Sequence, residues 1–90
     1  MKSSQVCRVS NLVNIGTLTE RLLNEANIYT QVELEEAGAV EAWRRIKSKH
    51  PERATFSFLF ALQGALLSVP GNALPEEVII ELLNRALSVQ

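Results

Sequence analysis

The segment from Phe56 to Val69 constrains the fold of this chain more than any other part of its sequence. Taken as a helix, it carries large apolar side chains on every side of the helical wheel: Phe56, Phe58, Leu59, Phe60, Leu62, Leu66, Leu67 and Val69. A helix that is apolar all round is buried all round, so we predict a buried central helix covered by other helices. Ser57, Gln63 and Ser68 interrupt the segment, which is shorter than the roughly 20 residues of a membrane span, and no membrane role is predicted.

The small and polar residues inside this apolar segment indicate specific contacts at their positions. Gly64 in mid-helix costs about 1 kcal/mol relative to alanine, which indicates that another helix approaches closely at Ala61, Gly64 and Ala65. Gln63 places a side-chain amide on the same helix. We predict that this amide satisfies a buried backbone group, and a ligand-binding role is the alternative.

Apolar residues spaced three or four apart predict further helices on both sides of the central one. The expected elements are a short helix over Val9–Val13, a turn over Asn14–Gly16, and helices over Thr17–Ala26, Thr30–Ala37, Ala39–Lys49, Thr55–Val69 and Pro75–Leu87. No segment alternates in the manner of a strand. The sequence therefore predicts an all-α fold.

Local signals fix several of these helix ends. Thr30 and Glu33 have the spacing of a capping box, in which each residue bonds to the other's backbone amide. Asn27 is expected in the left-handed conformation that follows a helix, with Ile28 as the apolar residue that packs after it. Gly38 is expected to end the helix that starts at Thr30.

The balance of charge and the single cysteine limit the classes of function. Nine Lys and Arg residues against ten Asp and Glu residues give a net charge of −1, so duplex DNA would have to be bound by a local basic patch. Cys7 and His50 are each the only residue of their type, which excludes an internal disulfide and the usual four-ligand zinc site. The polar start without an apolar core segment and the lone cysteine predict a cytoplasmic protein.

Four groups of residues keep a characteristic order along the chain. They are Leu12–Gly16 with Glu20, Leu23 and Ala26–Ile28, then Gly38–Lys47, then Phe60–Ala65, and finally Leu74–Glu77. Together they resemble the C-terminal domain of the TfoX/Sxy family of competence regulators. The resemblance covers about residues 9–88, so we expect a polar N-terminal extension at 1–8 and a single TfoX C-terminal-like helical domain at 9–90.

The resemblance implies a fold and a class of function. The implied fold is a compact bundle of about five short helices that contains a helix-hairpin-helix-like unit. The implied role is regulation of competence and DNA-uptake genes, for some members as a coactivator that works with the cyclic-AMP receptor protein. No enzymatic activity belongs to the family. The family's usual N-terminal domain is not among these 90 residues, so the resemblance does not imply the activity of a full regulator. The loop Pro70–Ala73 lacks a Trp and an Asp that are common there, so if this loop contacts a partner, a different partner is expected.

Two candidate sites point to nucleic acid. The turn Asn14, Ile15 and Gly16 before a helix resembles the phosphate-binding hairpin of DNA-binding modules, and a purely structural turn is the alternative. The basic residues Arg44, Arg45, Lys49 and Arg53 form a candidate patch for nucleic acid or an acidic partner. The alternative for the patch is a solvated face whose cations interact with a helix dipole.

The last helix is apolar over a wider arc than core packing needs. A stripe of Val78, Ile79, Leu82, Leu83 and Ala86 suffices for the core. Ile80 and Leu87 lie about 100° beyond the centre of that stripe. We therefore predict a surface at Ile80 and Leu87 that binds another protein or a second copy of the chain.

These observations predict a non-catalytic regulatory or protein-interaction module. The competing prediction is a non-specific DNA-binding helix-hairpin-helix domain. An enzyme is a distant third, because the sequence shows no pair of nucleophile and base, no phosphate-binding loop and no metal-ligand pattern. Neither a cofactor nor a small-molecule substrate is predicted.

Overall fold

Four α-helices contain most of the residues that the structure describes. The computed structural model describes residues 8–9 and 12–88. The helices are α1 (Thr17–Glu25), α2 (Gln31–Lys49), α3 (Phe56–Leu67) and α4 (Glu76–Leu87), and short 3₁₀ turns lie at Pro51–Arg53 and Gly71–Ala73. Over the described ranges there is no strand, and one isolated antiparallel bridge joins Arg8 to Thr30. The all-α prediction is confirmed.

The predicted helix over Val9–Val13 lies only partly within the described residues, because residues 10 and 11 are outside them. Val9 has 3₁₀ geometry, and Leu12 and Ile15 donate backbone hydrogen bonds to the carbonyls of Val9 (3.0 Å) and Leu12 (3.3 Å). These i to i−3 bonds are those of 3₁₀ turns. A helix-hairpin-helix unit around the Asn14–Gly16 turn is therefore not confirmed, and the predicted extension at 1–8 lies outside the described residues except for Arg8.

Two helices predicted on either side of Gly38 form one kinked element, α2. Gly38 has φ 85° and ψ 158°, which is far from helical geometry and is accessible to glycine because it has no Cβ. The break was predicted at the right residue, and the helix resumes at once, as predicted. Counted with α2 as one kinked element, the named elements in the described ranges are four α-helices and two 3₁₀ turns, so the bundle of about five helices is not confirmed.

The predicted helix ends are formed as expected. Thr30 Oγ1 accepts from the Glu33 amide at 3.2 Å, and Glu33 Oε1 accepts from the Thr30 amide at 3.2 Å, which completes the capping box. Asn27 is left-handed with φ 66°, and Ile28 behind it is buried. These contacts span three or four residues, which is why the sequence alone reveals them.

The core lies between α2 and α3, with α1 and α4 packed on α2. The predicted inward stripe of α2 is buried: Ala39, Val40, Ala42, Trp43 and Ile46. The Trp43 indole donates a hydrogen bond from Nε1 to the Thr55 carbonyl at 3.0 Å, so the tryptophan also fixes the start of α3. The Cα radius of gyration is 12.7 Å, against about 12 Å expected for a compact domain of this length.

The prediction that α3 is buried on every side is wrong at its two ends. Leu59, Leu62, Gly64 and Ala65 are buried, but Phe56 and Leu67 are 43% and 47% exposed. Phe56 starts the helix and stacks one face on Trp43, with ring centroids 5.9 Å apart, which leaves its remaining surface in solvent. Three neighbouring helices are too few to cover every turn of a fourth.

Gly64 provides the space for a close contact, as predicted, although turns rather than another helix occupy it. A Cβ built on Gly64 would lie 2.5 Å from the Val69 carbonyl oxygen and 2.7 Å from Asn14 Nδ2. The Asn14 amide occupies this notch and donates to the carbonyls of Ala61 (3.2 Å) and Val69 (2.9 Å). The Asn14–Gly16 turn is thereby fixed to the end of α3.

We predict that Gly64→Ser lowers the free energy of unfolding by about 1–3 kcal/mol, because the added atoms overlap the Val69 carbonyl and the Asn14 amide. The matched control is Gly16→Ser, since a Cβ at Gly16 has nothing within 4 Å and serine suits the position that precedes α1. Urea unfolding followed by circular dichroism measures both. Equal losses in the two variants would contradict the steric role of Gly64.

Candidate functional site

The outer face of α4 consists of Ile80, Leu83 and Leu87, which repeat at intervals of three and four residues and therefore lie on one side of the helix. Ile80 is 51% exposed and Leu87 is 63% exposed, whereas Leu83 between them is half-buried. The prediction that Leu83 belongs to the core stripe is wrong, because the side of α4 that packs on the core, about 100° round the helix, consists of Val78, Ile79, Leu82 and Ala86. The two residues predicted as a partner surface are thus brought together, two helical turns apart.

The four basic residues predicted as one patch are directed to different parts of the molecule. Arg45 donates from Nη1 to the Ala26 carbonyl at 3.1 Å, and Lys49 donates from Nζ to the Glu25 carbonyl at 3.5 Å. Both cations therefore cap the carbonyl end of α1, which has no basic residue in its own last turn. Arg45 also pairs with Glu41 at 3.0 Å.

The other two basic residues lie elsewhere. Arg44 donates from Nη2 to the Arg85 carbonyl at 2.6 Å and to the Ser88 carbonyl at 3.3 Å, which caps the end of α4. Arg53 is exposed in the 3₁₀ turn after α2, and its side chain has no partner among the described residues. Arg44, Arg45 and Lys49 thus contact the carbonyl ends of α1 and α4, and Lys49 also lies in the last turn of α2. Binding of nucleic acid or an acidic partner by the four residues stays a prediction.

His50 shares the end of α1 with these cations. Its Nε2 lies 2.7 Å from Glu25 Oε1, and its Nδ1 lies 3.9 Å from Glu52 Oε2. The histidine therefore joins the end of α2 to the end of α1. Within residues 8–9 and 12–88, no group of three His, Cys, Asp or Glu side chains is placed to hold a metal ion.

The turn predicted to bind phosphate has a structural role at two of its three residues. Asn14 has φ 74° and directs its amide into the Gly64 notch, and Ile15 is buried. Gly16 is exposed, and its carbonyl accepts from the Glu20 amide at 2.9 Å at the start of α1. Binding of a phosphate backbone at this turn stays a prediction.

An open cleft of about 390 Å³, which sequence reasoning missed, lies where the α2 kink meets α3 and the end of α4. Its lining is Ala37, Gly38, Ala39, Val40, Glu41 and Arg44 from α2, Gln63 and Leu66 from α3, and Leu82, Arg85 and Ser88 from the α4 end. Gln63 is half-buried there and makes no hydrogen bond within the described residues, so its predicted bond to a buried backbone group is wrong. An amide inside an apolar helix was the one sequence signal for this cleft.

The profile of the TfoX C-terminal domain family matches residues 6–86. The chain belongs to the TfoX C-terminal domain family. Two crystal structures of proteins from Listeria monocytogenes share this fold. An uncharacterised protein in a triclinic form is 36% identical, with a TM-score of 0.80 over 89% of this chain and 90% of that chain. A protein of unknown function in a tetragonal form is 36% identical, with a TM-score of 0.79 over 91% of this chain and 99% of that chain. No curated protein matches the chain.

In this TfoX C-terminal domain, the segments that carried the resemblance meet in space. Asn14 from the first segment contacts the Gly64 notch in the third. Gly38 and Arg44 from the second segment line the cleft with Gln63 from the third. Over the described ranges, no helix is both long enough and apolar enough to span a bilayer.

We predict that Arg45→Gln lowers the free energy of unfolding by about 1 kcal/mol, because it removes the cap of α1 and the pair with Glu41. The control Arg53→Gln removes the same charge without a side-chain contact and should stay within about 0.5 kcal/mol of the parent. Thermal unfolding at low ionic strength and at about 1 M salt tests this, since screening should shrink the Arg45 effect. Identical behaviour of the two variants would refute the capping role.

Proposed function

We propose that this TfoX C-terminal domain is a non-catalytic, cytoplasmic regulatory module that binds another protein, or a second copy of itself, through the outer face of α4. One observation carries the proposal. Ile80 and Leu87 are more than half exposed on one side of a helix that already packs on the core through a different side. Large apolar side chains grouped on one exposed helix face are typical of protein interfaces.

The energy available at this face favours a different protein over a second copy. Full burial of an exposed Ile or Leu contributes about 1.5–3 kcal/mol, so burying the exposed halves of Ile80 and Leu87 contributes about 2 kcal/mol per chain. Two copies would gain about 4 kcal/mol, which corresponds to dissociation near 1 mM before any entropic cost. A partner with an apolar groove covers the helix more fully, in the manner of other helix-in-groove complexes.

The regulatory part of the proposal rests on the family. The TfoX/Sxy resemblance implies transcriptional coactivation, and a partner-binding helix supplies a physical means for it. The absence of catalysis is proposed because the single histidine, His50, is held against Glu25 at the surface and no activity belongs to the family. The cytoplasmic location is proposed because a lone cysteine suits a reducing compartment.

Binding of duplex DNA is the alternative, and the geometry gives it less support. Arg44, Arg45 and Lys49 each donate to a backbone carbonyl at a helix end, so their charges already have partners. Arg53 is exposed without such a contact. A patch with one unpartnered cation, in a chain with a net charge of −1, gives little phosphate attraction.

We expect the double variant Ile80→Lys and Leu87→Lys to stay folded and to lose the partner, because two charges then replace the exposed apolar contact. The control is Val32→Lys, since Val32 is 58% exposed on a different helix, α2. Capture from the native cytoplasm with each variant measures partner binding, and sedimentation equilibrium measures self-association. Equal capture by the parent and the double variant, together with a monomeric mass for both, would disprove the proposed surface.

Titration of labelled duplex DNA distinguishes the DNA-binding alternative from binding of a protein partner through α4. If α4 is the functional surface, binding at about 50 mM salt should be weaker than the roughly 10⁻⁴ M typical of non-specific DNA-binding proteins. If the basic residues form the functional surface, affinity should be measurable, should fall steeply between about 50 and 200 mM salt, and should fall further in Arg53→Gln.

A further inference from the structure

The cleft of about 390 Å³ at the α2 kink is separate from the outer face of α4. It lies on the side of α4 that presents Leu82, Arg85 and Ser88, whereas Ile80 and Leu87 lie on the other side. Its volume is at the lower end of the range for small-ligand sites. Any ligand bound here would leave the proposed partner surface uncovered.

Arg44 is the one charged residue of this lining without an ionic partner among the described residues. Glu41 in the lining pairs with Arg45 at 3.0 Å, and Arg85 lies 3.9 Å from Glu81. Arg44 is half-buried and uses Nη2 for two carbonyls at the α4 end. Those two bonds hold the guanidinium in place and leave its N–H donors on Nε and Nη1 for another acceptor.

Gln63 adds a second polar group to the same cleft. The residue is half-buried and its side chain forms no hydrogen bond within the described residues, on a helix whose other residue in the cleft lining, Leu66, is apolar. Its amide N–H groups are therefore available to an acceptor in the cleft. Val40, Leu66 and Leu82 form an apolar floor beside it.

We propose that this cleft binds a carboxylate attached to a small apolar group, with Arg44 as counter-ion and the Gln63 amide as a second donor. One uncompensated cation matches the single charge of a carboxylate better than the −1.5 to −2 charge of a phosphate group, roughly as carried at neutral pH. The apolar floor takes the carbon chain of the ligand. The carboxylate comes either from a free organic acid or from the terminus of a peptide.

The probes are 4-methylpentanoate, for a free acid, and N-acetyl-alanyl-leucine, for a peptide terminus. The carboxamide of each is its uncharged control. Two-dimensional amide NMR of the labelled chain follows the Gly38 amide and the Gln63 side-chain amide. We expect saturable shifts of both signals with a carboxylate and not with its carboxamide. Equal affinity for both acids assigns the site to free acids, and a preference for the peptide assigns it to a chain terminus.

Three variants test the residues. Arg44→Gln should weaken binding about tenfold or more, and Gln63→Leu about three- to tenfold. Arg53→Gln removes an equal charge outside the cleft and should change affinity less than about twofold. Because Arg44 also caps α4, Gln63→Leu keeps the test valid if Arg44→Gln unfolds. The Ile80→Lys and Leu87→Lys variant should bind normally, which separates this site from the proposed partner surface.

Two results would overturn the proposal. One is the absence of saturable shifts with either carboxylate up to about 10 mM, which corresponds to less than about 3 kcal/mol of binding free energy. The other is equal binding of each carboxylate and its carboxamide, which would show that charge has no part in recognition.

Discussion

The fold depends on a hydrogen-bonded contact between Asn14 and the end of α3, and Gly64 makes that contact possible. Asn14 donates to the carbonyls of Ala61 and Val69, which lie on either side of Gly64. Any side chain at Gly64 would occupy the position of the amide. One bond adds a donor to the Ala61 carbonyl inside α3, and the other satisfies the Val69 carbonyl just after α3 ends. Together they fix the turn before α1 to a segment about fifty positions further along the chain.

Other close contacts also fix neighbouring segments to α3. A Cβ at Gly71 would lie 3.1 Å from the backbone of Ala61, so the turn after α3 passes directly over the helix. Trp43 bonds to the Thr55 carbonyl and thus fixes the beginning of α3. The central helix is therefore held at both ends by specific hydrogen bonds, with apolar packing between them. This is why its end residues Phe56 and Leu67 can remain exposed without loosening the core.

Arginine and lysine side chains cap the carbonyl ends of neighbouring helices in this domain. Arg45 and Lys49 neutralise the carbonyl end of α1, and Arg44 does so for α4. Basic residues that are close together in the sequence, where they resemble a nucleic-acid patch, therefore contact different helix ends in the folded domain. Arg44 combines this capping role with a place in the cleft.

The sequence by itself determined the features that act over one helical turn. The Thr30 capping box, the left-handed Asn27, the break at Gly38 and the exposed Ile80 and Leu87 were all predicted, because helical periodicity and local hydrogen bonds involve residues three to seven positions apart. The sequence also indicated that Gly64 must have a close neighbour, although the neighbour itself was not evident.

Tertiary structure alone decided which distant groups meet. Asn14 fills the Gly64 notch, Arg44 reaches α4, and Gln63 lines a cleft with Gly38 instead of bonding to the backbone. Each of these pairs is 25 or more positions apart, so its formation depends on how the helices pack. Periodicity shows which side of a helix is apolar, but the direction in which a long cation or an amide finds its partner is set by the neighbours that packing brings to it.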